Sequence, residues 1–305
     1  MPPAIIRYPG SKAKLVPQIV ATLPDAFHAA RNPLFCTDRD VEYREPFFGS
    51  GAMGLEVIAN IRQAASVWIN DLDPGMFAVW SSVVHHRQQL ERLVAAFNPT
   101  VDAFYRLKDR DGQLTGDIAV DAVNKIALHR MSVSGFGAMA GGPIGGRSQQ
   151  SGYTVGCRWS PGSIITAIRR AYSILAPFRQ RLRITNLHFR ELIAGASDNV
   201  LIYLDPPYYV KGGQLYAHNM SHDEHAELAM LLRETKADWR LSYDDCPEIR
   251  ELYSWADFKE LEIRYTNAVT DKKRPKNREL LIAPPPDEID GDYVGMGWVG
   301  KDGLP

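Results

Sequence analysis

A strand–helix–strand pattern between residues 41 and 71 most constrains the fold of this 305-residue chain. Residues 41–47 predict a strand that ends in the turn Phe48-Gly49-Ser50-Gly51. Apolar residues at helical spacing then predict a helix, and residues 67–71 predict the next strand. Two strands that are joined through a helix are typical of a parallel sheet. The pattern therefore predicts an α/β fold with a glycine turn at its first strand-to-helix junction.

Five further segments predict strands of the same sheet. The segment at 200–204 is a continuous apolar run, which suits a parallel strand that is buried on both faces. Two others, at 258–265 and 279–283, flank a basic segment and predict a hairpin with that segment in its loop. The remaining two lie at residues 182–187 and 239–243.

Residues 74–159 interrupt the strand pattern, so we expect them to form an inserted unit. The insertion carries three segments that predict helices, at residues 85–97, 101–110 and 117–131. A glycine-rich stretch at 135–146 follows, and we expect it to be irregular and mobile. The expected organisation is an α/β domain from residues 1–73 and 160–285, the insertion at 74–159, and a surface extension at 286–305.

The overall charge does not favour nucleic acid, but one basic cluster does. The formal net charge is −1, whereas phosphate contacts need clustered lysine and arginine side chains. The densest cluster in the sequence comprises Lys272, Lys273, Arg274, Lys276 and Arg278. It predicts contact with DNA phosphates, and an ordinary solvated face is the alternative.

Other features argue against membrane, secreted and metal-binding classes. No apolar run approaches the roughly 20 residues of a membrane span. The first residues lack a charged and then apolar signal segment, so we expect a cytoplasmic protein without membrane contact. The three cysteines, Cys36, Cys157 and Cys246, are widely separated, and neither a disulfide framework nor a zinc site is expected. No other side chains have the spacing of metal ligands, so we expect no metal.

The segment Asp205-Pro206-Pro207-Tyr208 directly follows the predicted strand at 200–204. Sites in open parallel sheets form beyond the carboxyl ends of the strands, so this segment lies where a substrate would bind. Asp205 offers a carboxylate, the prolines make the backbone rigid and remove N–H donors, and Tyr208 adds an aromatic face. Hydrogen-bond acceptors beside an aromatic face suit an amino group on a planar base. The alternative is a plain turn, because aspartate and proline are common in turns.

Two earlier segments predict a ligand site. In Glu45-Pro46-Phe47-Phe48-Gly49-Ser50-Gly51 the glycines allow a ligand to approach the backbone and the start of a helix. Asp71 ends the next strand, at the spacing where an acidic residue holds ribose hydroxyls in dinucleotide-binding folds. A helix cap is the alternative for Asp71. The other segment, Arg7-Tyr8-Pro9-Gly10-Ser11-Lys12, combines aromatic, turn and cationic groups, and an exposed arm is its alternative.

Taken in chain order, as residues 7–12, 45–51 and 205–208, the three segments resemble the Dam-type, or D12-class, adenine-specific DNA methyltransferases. In that family, segments like residues 7–12 and 45–51 enclose S-adenosylmethionine, and the Asp-Pro-Pro-Tyr motif follows a target-recognition insertion. The resemblance covers residues 5–285 and includes the segments at 241–245 and 264–282. It implies a Rossmann-like, S-adenosylmethionine-dependent methyltransferase sheet with an inserted, mostly helical target-recognition domain. It also implies methylation of N6 of a flipped-out adenine in double-stranded DNA.

The resemblance assigns roles residue by residue. Asp205, Pro206 and Tyr208 match the catalytic positions, where Asp205 and the Pro206 carbonyl accept the two N6 hydrogens. The positions that bind the cofactor are matched by Tyr8, Lys12, Glu45, Phe48, Gly49, Gly51, Asp71 and Asp205. The basic cluster falls in the late segment of the family, and the expected DNA contacts are Lys272, Lys273, Arg274 and Lys276.

The sequence departs from the family in two places. His188 stands where the family often has an acidic residue near the adenine of the cofactor, and we leave His188 outside the site. The glycine-rich stretch does not resemble the usual recognition hairpin of the family. The target sequence in DNA is therefore not predicted.

The residues leave three other activities open. Methylation of N4 of cytosine needs the same geometry at an amine, but its motif more often begins with serine or threonine than with an aspartate such as Asp205. Methylation of a protein glutamine is usually marked by asparagine at that position. A module that binds cofactor and DNA without catalysis would not need Asp205 together with Tyr208.

Overall fold

The computed structural model of the protein describes residues 4–7, 12–24, 41–61, 65–210, 220–261 and 279–285. Seven strands in this part of the chain form one sheet. In chain order they are β1 (Glu42–Glu45), β2 (Ser66–Asn70), β3 (Leu182–Thr185), β4 (Val200–Leu204), β5 (Asp238–Asp244), β6 (Asp257–Leu261) and β7 (Glu279–Ala283). Across the sheet the order is β3-β2-β1-β4-β5-β7-β6.

The sheet is parallel from β3 to β5, and β7 runs antiparallel to both of its neighbours. The predicted α/β fold and the predicted pairing of β6 with β7 are therefore confirmed. The strand order changes direction between β1 and β4, and ligands of open α/β sheets bind in the crevice at such a switch point. Pro46 and Asp205, which directly follow these two strands, lie at this crevice.

Helices pack on both faces of the sheet, and side-chain caps set several of their starts. Asp73, Thr100 and Asp117 each accept N–H groups from the first turn of the helix that they precede. A capping box of Ser221 and Glu224, predicted by this spacing, begins another helix. In chain order the helices are α1 (Val16–Val20), α2 (Ala52–Asn60), α3 (Pro74–His85), α4 (Arg87–Ala96), α5 (Val101–Asp109), α6 (Ile118–Met131), α7 (Pro161–Leu175), α8 (Phe189–Ile193), α9 (His222–Glu234) and α10 (Pro247–Leu252). Within the described ranges, none has the length and apolarity that crossing a membrane requires.

Each face of the sheet has its own apolar core. Leu201 and Tyr203 of β4 belong to a cluster with α1 to α4, α6 and α7. Ile202 and Leu204 belong to a second cluster with α8 to α10. All residues of β4 are buried, as its continuous apolar run predicted. Three helices of the predicted insertion, α3, α4 and α6, share the first core, and the division of the chain into domains stays a prediction.

The helix predicted at residues 85–97 is confirmed as α4, but the helix before it, α3, was not predicted. The chain forms two helices here, because α3 ends at His85 and α4 starts at Arg87. Most side chains of α3 are buried, so its sequence lacks the polar face that marks a surface helix. The helices predicted at 101–110 and 117–131 are confirmed as α5 and α6.

The glycine-rich stretch at 135–146 is irregular, as predicted, and contains a 3₁₀ turn at Gly137–Met139. Its backbone is held by neighbouring side chains. The Gly137 N–H donates to the Ser132 hydroxyl at 2.9 Å, and the Lys108 ammonium donates to the Ala140 carbonyl at 2.7 Å. The expected mobility of this stretch stays a prediction.

Candidate active site

The turn after β1 contains two glycines in the left-handed backbone region. Gly49 has a φ of 46° and Gly51 a φ of 69°, which glycine adopts without strain. A side chain at Gly51 would also collide with Trp80 of α3, because an added Cβ would lie 2.6 Å from the indole ring. The buried Phe48 ring stands edge-on to Trp80, and the indole N–H donates to the Gly49 carbonyl at 2.9 Å. Contacts with α3 therefore hold the glycine turn in place.

Asp71 directly follows β2 and faces the glycine turn. One carboxylate oxygen accepts the Gly49 N–H at 2.8 Å, and the other accepts the Asp73 N–H at 3.0 Å. Burial and the charge of Asp73 raise the pKa of Asp71 to about 7, although both N–H groups and the Lys125 ammonium oppose the rise. The structure brings Asp71 and the glycine turn together, and this carboxylate is partly protonated near neutral pH.

Asn70, the last residue of β2, was missed by the sequence analysis. Its Nδ2 donates to the Pro46 carbonyl at 3.0 Å and to the Leu187 carbonyl at 2.9 Å. Its Oδ1 accepts the Thr185 hydroxyl and the Leu187 N–H, both at 2.8 Å. One buried amide thus joins the loops that follow β1 and β3. Its place beside Asp71 is the one signal in the sequence that could have drawn attention to it.

A buried ionic network connects this edge of the sheet to the helices. The Lys125 ammonium of α6 lies 2.6 Å from the Asp73 carboxylate and 3.0 Å from the Asp111 carboxylate. Burial alone would raise the pKa of Asp73, but the charge and hydrogen bond of Lys125 outweigh burial, and the pKa is lowered. Asp73 therefore stays ionised while it caps α3 through the N–H groups of Gly75 and Met76. No pattern in the sequence predicted this network.

The N-terminal segment meets the Asp-Pro-Pro-Tyr turn at the end of β4. Lys12 is only 3% exposed, and its ammonium lies 2.7 Å from the Asp205 carboxylate. The same ammonium lies 4.7 Å from the centre of the buried Tyr208 ring. Residues that are distant in the sequence thus form one cationic, anionic and aromatic cluster beside the switch point.

Asp244 fixes the backbone that follows Tyr208. It is the last residue of β5, and its carboxylate accepts the Tyr209 N–H at 3.1 Å and the Val210 N–H at 3.2 Å. Since Pro206 and Pro207 have no N–H of their own, these bonds anchor the turn from its far end. The neighbouring strand therefore orients Asp205 and Tyr208 indirectly.

Buried carboxylates concentrate at this edge. Glu45, the last residue of β1, is 2% exposed and accepts the Tyr43 hydroxyl at 2.7 Å. Burial raises the pKa of Glu45 well above its ordinary value; the Tyr43 hydrogen bond opposes this, and the charges of Asp205 and Asp71 add to it. Burial also raises the pKa of Asp205, against the effect of Lys12. The edge therefore favours ligands that carry positive charge or hydroxyl groups.

Several predicted site residues lie outside the described part of the chain. Tyr8 is one of them. The basic cluster lies there too, with Lys272, Lys273, Arg274 and Lys276. The described strands on either side of the cluster, β6 and β7, pair with each other.

His188 lies at the start of a helix and is not part of a metal-binding group of described residues. Over the described ranges, no group of three or more His, Cys, Asp or Glu side chains is arranged to hold a metal ion. His188 precedes α8, where its ring accepts the Arg190 N–H at 3.5 Å, and it lies 3.5 Å from the Glu224 carboxylate. These contacts are those of a capping histidine.

The motifs that form this edge match a protein family in sequence. The family model described as D12 class N6 adenine-specific DNA methyltransferase matches residues 8–268, which is most of the chain. The chain belongs to this family. This D12-class enzyme is therefore an S-adenosylmethionine-dependent DNA methyltransferase that acts on N6 of adenine, as its motifs predicted. Because the family is catalytic and specific for adenine, the three alternatives from the sequence are not retained.

Comparisons with individual proteins add less to the description of this D12-class methyltransferase. Curated proteins give no match. Among solved structures, it is similar to two structures of the rRNA methyltransferase aviRa from Streptomyces viridochromogenes, with 14% and 15% identity and a TM-score of 0.35 in both. The alignments cover 91% and 90% of this chain and 86% of the aviRa chain in each case. The fold assignment rests on the strand order of the sheet and not on this likeness.

Proposed function

We propose that Asp205, Pro206 and Tyr208 are the catalytic residues of this methyltransferase and that its substrate is double-stranded DNA. The observation that carries the proposal is the position of Asp205, which directly follows the buried strand β4 at the switch point and lies 2.7 Å from the Lys12 ammonium. Stacking in a duplex hides the amino group of adenine. The target base therefore leaves the helix and enters the site beside Tyr208.

In this mechanism, Asp205 and the Pro206 carbonyl accept the two hydrogens on N6. The two hydrogen bonds draw the N6 lone pair out of conjugation with the ring and aim it at the methyl group. Positive charge develops on N6 as its bond to the methyl carbon forms and the bond between that carbon and sulfur breaks, and the Asp205 carboxylate stabilises that charge. The electron pair of the broken bond would leave with S-adenosylhomocysteine, and N6 would lose one proton to give the neutral methylated amine. Burial raises the pKa of Asp205, and Lys12 counteracts the rise, so the ammonium favours the ionised form that the reaction needs.

S-adenosylmethionine supplies an electrophilic methyl group when bound, and the donor set at the ends of β1, β2 and β4 fits it. Asp71 keeps lone pairs beyond the two N–H groups that it accepts, so it would accept a ribose hydroxyl. Gly51 begins α2 without a side-chain cap, which leaves N–H groups of the first turn for the cofactor carboxylate. The other residues that we assign to cofactor binding are Tyr8, Lys12, Glu45, Phe48, Gly49 and Asp205.

We assign DNA contact to two parts of the chain. The basic cluster with Lys272, Lys273, Arg274 and Lys276 would contact phosphates. The insertion at 74–159 would recognise the target sequence. It exposes large side chains such as Met139, which is 43% exposed, and Tyr153, which is 65% exposed. Exposed side chains of this size are suited to contacts with bases or with the groove edges.

Replacement of Asp205 tests the catalytic assignment. Asp205→Ala removes one of two acceptors in the transition state, and loss of one such group costs about 2.7–4 kcal/mol, or roughly a hundred- to thousand-fold in rate. Asp205→Asn keeps the shape and one acceptor oxygen, so its rate should fall between those of Asp205→Ala and the wild type. Single-turnover methyl transfer from labelled cofactor, followed by digestion to nucleosides, measures both the rate and the methylated base.

Asp245→Asn is the matched control for these variants. Asp245 directly follows β5 as Asp205 follows β4, but its carboxylate pairs with Arg250 at 2.6 Å. The control should keep the wild-type rate, and thermal melts should show that all three variants are folded. A folded Asp205→Ala protein with near-wild-type turnover would refute the assignment.

A further inference from the structure

A second carboxylate shares the ammonium that contacts Asp205. Glu279 is the first residue of β7 and is paired in register with Asp244 of β5. Its Oε2 lies 3.9 Å from the Lys12 Nζ, which itself lies 2.7 Å from Asp205. Lys12 therefore lies near two carboxylates, one directly after β4 and the other on β7.

The surroundings of Glu279 are unusual for a carboxylate with only a structural role. The side chain is 13% exposed, and its buried Oε2 has no hydrogen-bond partner among the described residues. Placing a carboxylate oxygen in such surroundings is unfavourable unless a nearby charge compensates. The Lys12 ammonium is the cation that lies within reach in the described structure. The Lys12 ammonium thus supplies a compensating charge for the Glu279 carboxylate.

We propose that Glu279 is a positioning residue for methyl transfer, which acts on Asp205 through the Lys12 ammonium that both carboxylates share. The inference rests on the proposed role of Asp205 as the acceptor of an N6 hydrogen. Glu279 itself contacts neither the base nor the cofactor in this arrangement. Its negative charge also attracts the ammonium and so weakens the effect of the ammonium on Asp205.

The charges around Asp205 determine in which direction Glu279 changes the pKa of Asp205. Burial raises the pKa of Asp205, the Lys12 ammonium lowers it, and the Glu279 carboxylate raises it again. Among the described residues, Glu45, Tyr203 and Tyr243, on three neighbouring strands, also interact electrostatically with Asp205. Removing the charge of Glu279 should therefore lower the pKa of Asp205 and leave these other groups in place.

Glu279→Gln keeps the size of the side chain and removes its charge. Protonated Asp205 keeps an acceptor oxygen but lacks the negative charge that stabilises the positive charge on N6, so the methyl-transfer rate falls on the acid side of its pH profile. In Glu279→Gln we expect this acid limb to move to lower pH by roughly 0.5–1 unit, less than the 1–3 units for a charge in direct contact. The carboxyl ¹³C shift of Asp205, assigned with Asp205→Asn and titrated without cofactor or DNA, should move by the same amount.

Glu260→Gln is the matched control for the loss of charge. Glu260 lies on β6, the neighbour of β7, where its carboxylate is 52% exposed and lies 3.5 Å from Arg250. Neither the acid limb nor the ¹³C titration should move in this variant. Glu279→Asp retains the charge, so it should keep both midpoints closer to the wild-type values than Glu279→Gln does.

The ¹³C titration separates this inference from the proposed function, because it needs no turnover. A Glu279→Gln protein that loses stability and rate at every pH, with the titration of Asp205 unmoved, would overturn the inference. A shift of the Asp205 midpoint to higher pH in Glu279→Gln would also overturn the inference. If Glu279→Gln does not fold, an Asp205 midpoint in Glu279→Asp equal to that in the wild type supports the role of the charge, and a midpoint shifted to lower pH by a full unit overturns it. Full activity of Asp205→Ala would refute the proposed function without changing the titration.

Discussion

The side chain of Asn70 uses every hydrogen-bonding position that an amide possesses. Its two N–H groups reach the carbonyls of Pro46 and Leu187, and its oxygen receives the Thr185 hydroxyl and the Leu187 N–H. The residue is 2% exposed, so water does not replace these partners. A single side chain therefore sets the spacing of the loops beyond β1 and β3, between which we expect the cofactor to bind.

Asn70→Ala should destabilise the protein and weaken the binding of S-adenosylmethionine. Each buried polar group left without a partner costs about 1–3 kcal/mol, so the free energy of unfolding should fall by about 3 kcal/mol or more. The KM for the cofactor should rise more than kcat falls, because the loops bind and do not react. Unfolding in urea and steady-state kinetics measure the two effects. Asn60→Ala, which removes an exposed amide from α2, should change stability by less than about 0.5 kcal/mol, and equal stability of the two variants would contradict the role of Asn70.

The ionisation of Asp71 links stability to pH near neutrality. Burial raises the pKa of Asp71 to about 7, from an ordinary value of 3.8. The folded protein therefore holds this proton more tightly than the unfolded chain does. The resulting stabilisation is fully present below pH 3.8 and is lost as the pH rises through about 7.

Between about pH 6 and pH 8, the wild type should therefore lose stability that Asp71→Asn does not lose. The difference should approach about 1.4 kcal/mol, which is the free energy of one pKa unit. Urea midpoints of both proteins at the two pH values measure it. Cofactor affinity of the wild type, measured by calorimetry, should change in the opposite direction and increase with pH, since a ribose hydroxyl is bound best by the ionised carboxylate. The same pH dependence of stability in both proteins would exclude Asp71 as its source.

Among the secondary-structure elements, α6 is linked to the cofactor edge through its residue Lys125. Its ammonium joins Asp73 at the start of α3 to Asp111 in the turn after α5, and all three side chains are largely buried. Lys125→Met should cost about 3–5 kcal/mol, because it leaves buried carboxylates without a cation. Thermal or urea unfolding measures this loss.

Two comparisons make the prediction for Lys125 specific. Arg190→Met breaks an ion pair with Glu227 at 2.9 Å, but Arg190 is 51% exposed, and such pairs contribute only about 0.2–1 kcal/mol. The double variant Lys125→Met with Asp111→Asn should be more stable than Lys125→Met alone, because one unpaired charge is removed. If Lys125→Met cost no more than Arg190→Met, the network would be no stronger than a surface ion pair.

The elements that could be predicted from the sequence are those whose signals are local. The buried strand β4 is marked by its apolar run, and α6 and α9 are marked by the capping residues Asp117 and Ser221 that precede them. α3 could not be predicted in the same way, because it is buried on nearly all sides and lacks a polar face. The short helices α8 and α10 are held by packing in the second core, which a local pattern does not report.

The residues of the candidate site also fall into those that a local sequence signal marks and those that depend on distant partners. Asp205, Asp71 and the glycine turn lie at strand ends, and a strand end can be recognised from the sequence that precedes it. Asn70, Lys125 and Glu279 matter because of partners that are far away in the chain. The pairing of Lys12 with Asp205, over a separation of 193 residues, is of the same kind, and only the family resemblance placed both in one site.

As a whole molecule, this protein carries almost no net charge, although it has to bind DNA, which is a polyanion. The formal charge is −1, so the overall field does not attract DNA and affinity must come from local clusters. The basic cluster between β6 and β7 is the predicted source. Replacing Lys272, Lys273 and Lys276 by glutamine should weaken binding to all DNA sequences alike, and should flatten the dependence of log affinity on log salt by up to about 0.9 per lost phosphate contact.

Fluorescence anisotropy with a labelled duplex at several salt concentrations measures this slope. Arg190→Gln is a suitable control, because the Arg190 guanidinium already pairs with the Glu227 carboxylate. Its slope should equal that of the wild type. An unchanged slope in the triple variant would show that the basic cluster is an ordinary solvated surface and does not contact phosphates.

The meeting of Lys12, Asp205 and Glu279 at one edge of the sheet has a consequence for biosynthesis. A ribosome releases the polypeptide from its N-terminus onward, so Lys12 and Asp205 emerge well before the last strand does. The charge arrangement around Asp205 is incomplete until Glu279 has emerged and β7 has entered the sheet between β5 and β6. A chain that ends before β7 would therefore lack the second carboxylate beside Lys12, and the acid limb of its pH profile would differ from that of the complete protein.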